Sequence, residues 1–135
     1  MKKASLGLII FLSLLVFACN KKEKSEKFLL LTTPTWATDS LLANGVDASG
    51  TGQLLEKFKG DAKFREDGTG TFGKYTGIWR FNEPETEITI VTDSLVLPII
   101  CNIVKLTTTD LKITTVVPDK VTSEPIDIRM TFKAK

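Results

Sequence analysis

The stretch KFKGDAKFREDGTGTFGKYTGIWRF, residues 57–81, decides the fold class. Phe58, Gly60, Ala62 and Phe64 alternate with Lys57, Lys59, Asp61, Lys63 and Arg65, which predicts a strand from Lys57 to Glu66 with one dry face and one wet face. Asp67 and Gly68 follow, and glycine reaches positive φ without steric cost, so a hairpin turn is expected there. Two registers fit the spacing: one sets Phe64 opposite Phe72, the other sets Phe64 opposite Thr71. The returning chain places Tyr75, Gly77, Trp79 and Phe81 on one parity and ends at the turn-forming segment Asn82 to Glu85.

The same alternation continues on both sides of this stretch. Ile88 and Ile90 alternate with Thr89 and Val91. Val96 to Leu106 is apolar on both faces in places, so it either lies covered on both sides or contains a bulge. Thr107 to Asp110 turns the chain back, Leu111, Ile113, Thr115 and Val117 share a face, and Ile126, Ile128, Met130 and Phe132 alternate with Asp127, Arg129, Thr131 and Lys133. With an early strand from Trp36 to Leu42, the count reaches about eight strands, spaced every 8 to 12 residues or so, and no long helical pattern follows the N-terminal region. The fold class is all-β, with two economical solutions: an antiparallel up-and-down β-barrel or a two-sheet β-sandwich. The barrel leaves no exposed edge.

Four segments, PTWATDSLL, FREDGTGTF, GIWRF and IVKLTTTDLKI, taken in their order and spacing over residues 30–133, resemble the lipocalin-like domains of small bacterial lipoproteins. Pro34 stands where the lipocalin pattern has a glycine. The resemblance implies an up-and-down barrel of eight strands that holds a small apolar molecule. EKFLLLTT, residues 26–33, is expected to form a short helix or a plug at one barrel end, stopped by Pro34. NGVDASGTG, residues 44–52, is expected to be a flexible loop between the first two strands.

The N-terminus has its own signature. Lys2 and Lys3 precede LGLIIFLSLLVF, residues 6–17, an apolar run shorter than the roughly 20 residues a spanning helix needs. It reads as a secretion signal. Val16, Phe17, Ala18 and Cys19 resemble the lipobox of bacterial lipoproteins, although Phe17 is bulkier than that family usually has there. The resemblance implies cleavage between Ala18 and Cys19, acylation of Cys19, and attachment to a membrane through the acyl chains, with about 0.8 kcal/mol from each buried methylene. The organisation is then a signal over residues 1–18, a lipidated polar tether over 19–27, and a barrel domain over 28–135. Asn20 differs from the aspartate that retains many lipoproteins in the inner membrane, so the outer membrane is expected, on either of its faces.

Composition narrows the function. Loss of Lys2 and Lys3 takes 18 basic residues to 16, against 16 acidic ones, so the mature chain is near neutral and gives no support for a nucleic-acid partner. The absence of histidine removes the commonest general base and transition-metal ligand and argues against the usual hydrolases. Cys101 in PIICNIVKL is expected to be a buried, inert thiol. Asp39, Asp47, Asp61, Glu66 and Asp67 match no calcium loop, and no catalytic pair, cofactor or metal site is indicated. GTGTFG, residues 68–73, lies in a hairpin and lacks the following helix that a phosphate loop requires.

An eight-stranded interior is wide enough either to be filled or to hold one small ligand. The inward-facing candidates are Trp36, Phe64, Phe72, Tyr75, Trp79, Phe81, Ile90, Met130 and Phe132, with the Tyr75 hydroxyl and the indole nitrogens as polar handles. An open apolar volume of a few hundred cubic ångströms marks a carrier of a small apolar ligand. A filled core with an exposed apolar patch marks a module that contacts another envelope protein. A periplasmic inhibitor or a purely structural lipoprotein is a third reading.

Overall fold

The computed structural model describes residues 24–135; the signal, Ala18 and Cys19 lie outside the described residues. The chain opens with helix α1, Glu26–Thr32, whose N-cap Ser25 accepts a hydrogen bond from the Phe28 amide at 3.1 Å. Glu26 in the first turn suits the positive end of the helix dipole, and Pro34 ends the element. Glu26 and Lys27, grouped with the tether by composition, belong to this helix.

Nine strands follow among the described residues: β1 Trp36–Ala43, β2 Val46–Asp47, β3 Asp61–Phe64, β4 Thr69–Phe72, β5 Tyr75–Phe81, β6 Glu87–Thr92, β7 Ile99–Leu106, β8 Asp110–Pro118 and β9 Pro125–Ala134. From β3 to β9 each pairs antiparallel with the next. β1 closes the ring, pairing with β3 through Trp36↔Ala62 and Ala37↔Asp61 and with β9 from Trp36↔Ala134 to Ala43↔Ile128. The fold is therefore a closed eight-stranded antiparallel barrel plus one extra strand, and not a sandwich. The extra strand, β2, returns along β1 over Asn44 and Gly45, both at positive φ (50° and 81°), the geometry of a tight two-residue hairpin. What composition presents as a flexible loop thus begins as a fixed turn.

The alternation over residues 57–66 overstates the strand. Only Asp61–Phe64 joins the sheet; Glu56–Phe58 is a turn of 3-10 helix, and Gly60 at φ 123° separates the two. The hairpin register also differs from both expectations: Phe64 faces Gly70, and Ala62 faces Phe72. The Arg65 amide bonds the Thr69 carbonyl at 2.9 Å, which leaves Glu66, Asp67 and Gly68 as a three-residue loop with Gly68 at φ 88°. In β7 the bulge is real, between Ile103 and Lys105, whereas two-sided burial is not, since Ile100 and Val104 are exposed.

Inward-facing residues of every barrel strand meet in one core that includes Trp36, Leu41, Phe64, Phe72, Trp79, Ile88, Ile90, Leu111, Ile113, Met130 and Phe132. Cys101 is buried in it, and desolvation pushes its thiol up to about 12, so it stays protonated and unreactive.

Helix α1 shuts the end of the barrel formed by the β3–β4, β5–β6 and β7–β8 turns. Leu31 is fully buried, Phe28 lies 5.7 Å from the Trp79 ring, and the Trp36 indole donates to the Leu31 carbonyl at 3.0 Å. Lys63, on the outer face of β3, donates to the carbonyls of Thr32, Thr33 and Pro34 at 2.8, 3.1 and 3.1 Å. The Thr32 and Thr33 carbonyls are among those a helix C-terminus leaves without partners, and Pro34 follows the cap. Lys63→Met keeps the stem and removes the ammonium, so it is expected to cost about 1–2 kcal/mol. A urea titration measures that loss, and hydrogen exchange is expected to accelerate at residues 28–33 while β8 and β9 stay protected.

Candidate functional site

The opposite end of the barrel is formed by the segment following β2 and by the β4–β5, β6–β7 and β8–β9 connections. Residues 48–60 fold across it. The Ala48 amide donates to the Leu41 carbonyl and the Leu55 amide to the Ala48 carbonyl, each at 2.9 Å, and both side chains are buried. The 3-10 turn Glu56–Phe58 then sets Phe58 against Tyr75, ring centroids 4.8 Å apart.

One main-chain bond holds this turn to the β4–β5 connection, and a second joins that connection to β3. The Lys74 amide donates to the Lys57 carbonyl at 2.8 Å, and the Gly73 amide to the Asp61 carbonyl at 3.0 Å. Gly73 has φ 61°, and a Cβ there would lie 2.5 Å from the Lys57 carbonyl oxygen. The close approach requires glycine. Gly73→Ala is expected to lower stability by about 1–3 kcal/mol. It also pushes the turn off its seat, which tyrosine fluorescence and the chemical shifts of Phe58 and Tyr75 will report.

All nine candidates from the sequence face the interior or border it. Trp36, Phe64, Phe72, Trp79, Ile90, Met130 and Phe132 are buried, and Tyr75 and Phe81 are half-buried against the same core. Tyr75 packs against Phe58 at the mouth, and the other eight divide into two groups. Phe64, Phe72, Ile90, Met130 and Phe132, with Phe58, Ala62 and Ile113, line a central void of about 10 Å³, room for one water molecule at most. Trp36, Trp79 and Phe81 sit toward the closed end, where Trp79 makes edge-on contacts with Phe64 at 5.6 Å and Phe81 at 5.3 Å.

The interior is thus filled with side chains. Larger hollows lie outside the barrel, two of about 320 and 530 Å³ around β1, β8 and β9 and one of about 550 Å³ between β1, β2 and the start of β3, and are lined mainly by polar residues. Alternation places Phe58 in a strand, whereas its role at the mouth follows from a turn that only Gly60 hints at. The indole nitrogens are not free handles. Trp36 donates to Leu31, and Trp79 to the Arg65 carbonyl at 2.9 Å.

The acidic candidates do not converge. Asp39 accepts from Thr131, Asp61 pairs with Lys135, and Glu66 pairs with Lys24. Asp47 and Asp67 cap turns, and the Ser49 and Thr69 hydroxyls and amides hold their carboxyls below the ordinary range. Among the described residues no three His, Cys, Asp or Glu side chains are grouped to hold a metal ion. Asp110 is shifted furthest, to about 2 from its ordinary 3.8, by hydrogen bonds from Lys133 and Thr109. A depressed carboxyl stabilises the fold above pH 3.8 and loses that contribution as pH falls toward 2. Asp110→Asn is therefore expected to flatten the fall in stability over that window, followed by tryptophan fluorescence in an acid titration.

The fold places the chain among known structures. Bovine odorant-binding protein complexed with its natural ligand superposes with a TM-score of 0.53, at 16% identity, covering 85% of this chain and 77% of that one. Its complex with a selenium-containing odorant gives 0.53 at 14% identity, covering 86% and 77%. Its complex with undecanal gives 0.52 at 16% identity, covering 85% and 77%. The barrel is of the lipocalin type. No family model matches the chain. No curated protein matches it either.

Proposed function

We propose that this is a non-enzymatic binding protein of the bacterial envelope, tethered to the outer membrane through acyl chains on Cys19. Its barrel takes up one small apolar molecule through the mouth beneath residues 48–60. The observation that carries the reading is the way the mouth is closed. The group that fills the mouth side of the central void, Phe58, comes from a turn lying outside the sheet, so it can leave without breaking a strand pairing. Every residue around the void is apolar, so a molecule that replaces Phe58 meets a surface suited to hydrocarbon. The similar bovine structures, which are odorant-binding proteins, support the reading by analogy of fold.

Phe58→Ala is expected to open the site. Native mass spectrometry of residues 20–135, which carry every described element, after exposure to envelope lipid extract should show a stoichiometric adduct, and the Phe58→Ala variant should raise its occupancy severalfold. Absence of an adduct from both proteins, each folded, overturns the proposal.

A second reading is supported by the filled core together with the outer surface. Ile78 and Val91 face each other across β5 and β6, Ile100 and Val116 extend the row on β7 and β8, and Val96 and Leu97 project from the β6–β7 connection. An exposed apolar row of this extent suits contact with another envelope protein.

A further inference from the structure

Three buried residues of the described chain are polar: Thr32, Thr92 and Thr115. Two are satisfied within the fold. The Thr32 hydroxyl donates to the Phe28 carbonyl, its own helix four residues back, at 2.8 Å, and the Thr115 hydroxyl donates to the Ile100 carbonyl across the β7–β8 ladder at 2.7 Å. Thr92 is 5% exposed, and its hydroxyl has no partner; among the described residues it is the one buried side-chain oxygen or nitrogen so placed. A buried hydroxyl left unpaired destabilises the fold that contains it, whereas a valine of the same shape does not bear that cost.

Its position gives the hydroxyl a use. Thr92 is the last residue of β6, on the inward face shared with Ile88 and Ile90, and Ile90 lines the central void. It stands opposite Gly77, with Tyr75 two residues further along the same face of β5 and in contact with Phe58. Thr92 therefore stands at the mouth end of β6, on the buried face of the strand. Among the described residues no charged side chain is buried, so a carboxylate or ammonium drawn inside would lose its hydration without gaining a counter-charge.

We propose that Thr92 is the polar contact of the interior site, and that the ligand is an uncharged molecule with an apolar chain and one oxygen function, an alcohol, aldehyde or ester, paired with the Thr92 hydroxyl. This rests on the binding reading given above and adds to it the class of ligand and the residue that selects it. One neutral hydrogen bond, added to a site that otherwise leaves the group unpaired, discriminates by about five- to tenfold.

The test uses residues 20–135 and displacement of the apolar fluorophore 1-aminoanthracene by 1-octanol, octane and octanoate, in wild type, Thr92→Val and Thr92→Ser. The wild type should bind octanol about five- to tenfold more tightly than octane, and octanoate weakest. Thr92→Val should bind octanol and octane alike and, without ligand, melt at a higher temperature than wild type. Thr92→Ser should retain the preference. If Thr92→Val keeps the wild-type preference for octanol, or the wild type shows none, the assignment of Thr92 is overturned while interior binding stands. If none of the three displaces the fluorophore, or the fluorophore itself does not bind, interior binding and this assignment fall together.

Discussion

Closure of the sheet through β1 is the constraint on which the molecule depends. A row of strands from β3 to β9 is an open sheet with two hungry edges, and the single strand Trp36–Ala43 satisfies both. The junction is narrow on one side, where only Trp36 and Ala37 pair with β3, and long on the other, where β1 runs against β9 to Ala43. Trp36 is therefore placed where three parts of the fold meet. Its backbone joins β3 to β9, its ring fills the closed end, and its indole nitrogen holds the last turn of α1. Loss of this residue would open a seam as well as leave a cavity.

The short β3 contact has a counterpart in residues 44–60. Where β1 leaves β3, its free edge is taken over by β2 and by the bond from Ala48 to Leu41. The segment that covers the mouth is thus also the segment that protects the exposed part of β1. Burial of Leu55 and Ala48 supplies the apolar attachment, and the main-chain bond from Lys74 to Lys57 supplies the alignment. Lipocalin-type architecture follows from these pairings without any sequence motif that a family model recognises.

Much of the barrel was legible because period-two alternation is a direct image of a sheet with one buried face. Leu111 to Val117 and Ile126 to Phe132 stand where alternation puts them, and so do Trp79 and Ile90. The failures have local causes. Phe58 and Gly60 continue the alternation of Ala62 and Phe64 but belong to a turn, because glycine at φ 123° bends the chain and periodicity is blind to backbone angle. The hairpin register was set by a glycine in the left-handed region after a type of turn that spacing alone does not specify. Asn44-Gly45 carried a strong hairpin signal that loop composition concealed. Within the site, aromatic residues were readable as inward-facing, but whether their polar atoms were free was not, since that depends on carbonyls brought near only by folding. The indoles proved occupied and Thr92 proved vacant.

The N-terminal side of α1 is fastened at the closed end. Ser25 donates to the Glu85 carboxylate and Lys27 to the Glu85 carbonyl, both on the β5–β6 turn, while Lys24 pairs with Glu66 on the β3–β4 turn. The described chain therefore begins at the sealed base. The two ends accordingly differ in make-up: the base is sealed by a helix pinned through polar side chains, and the rim, one strand length away, is crossed by a segment held by apolar side chains and main-chain bonds.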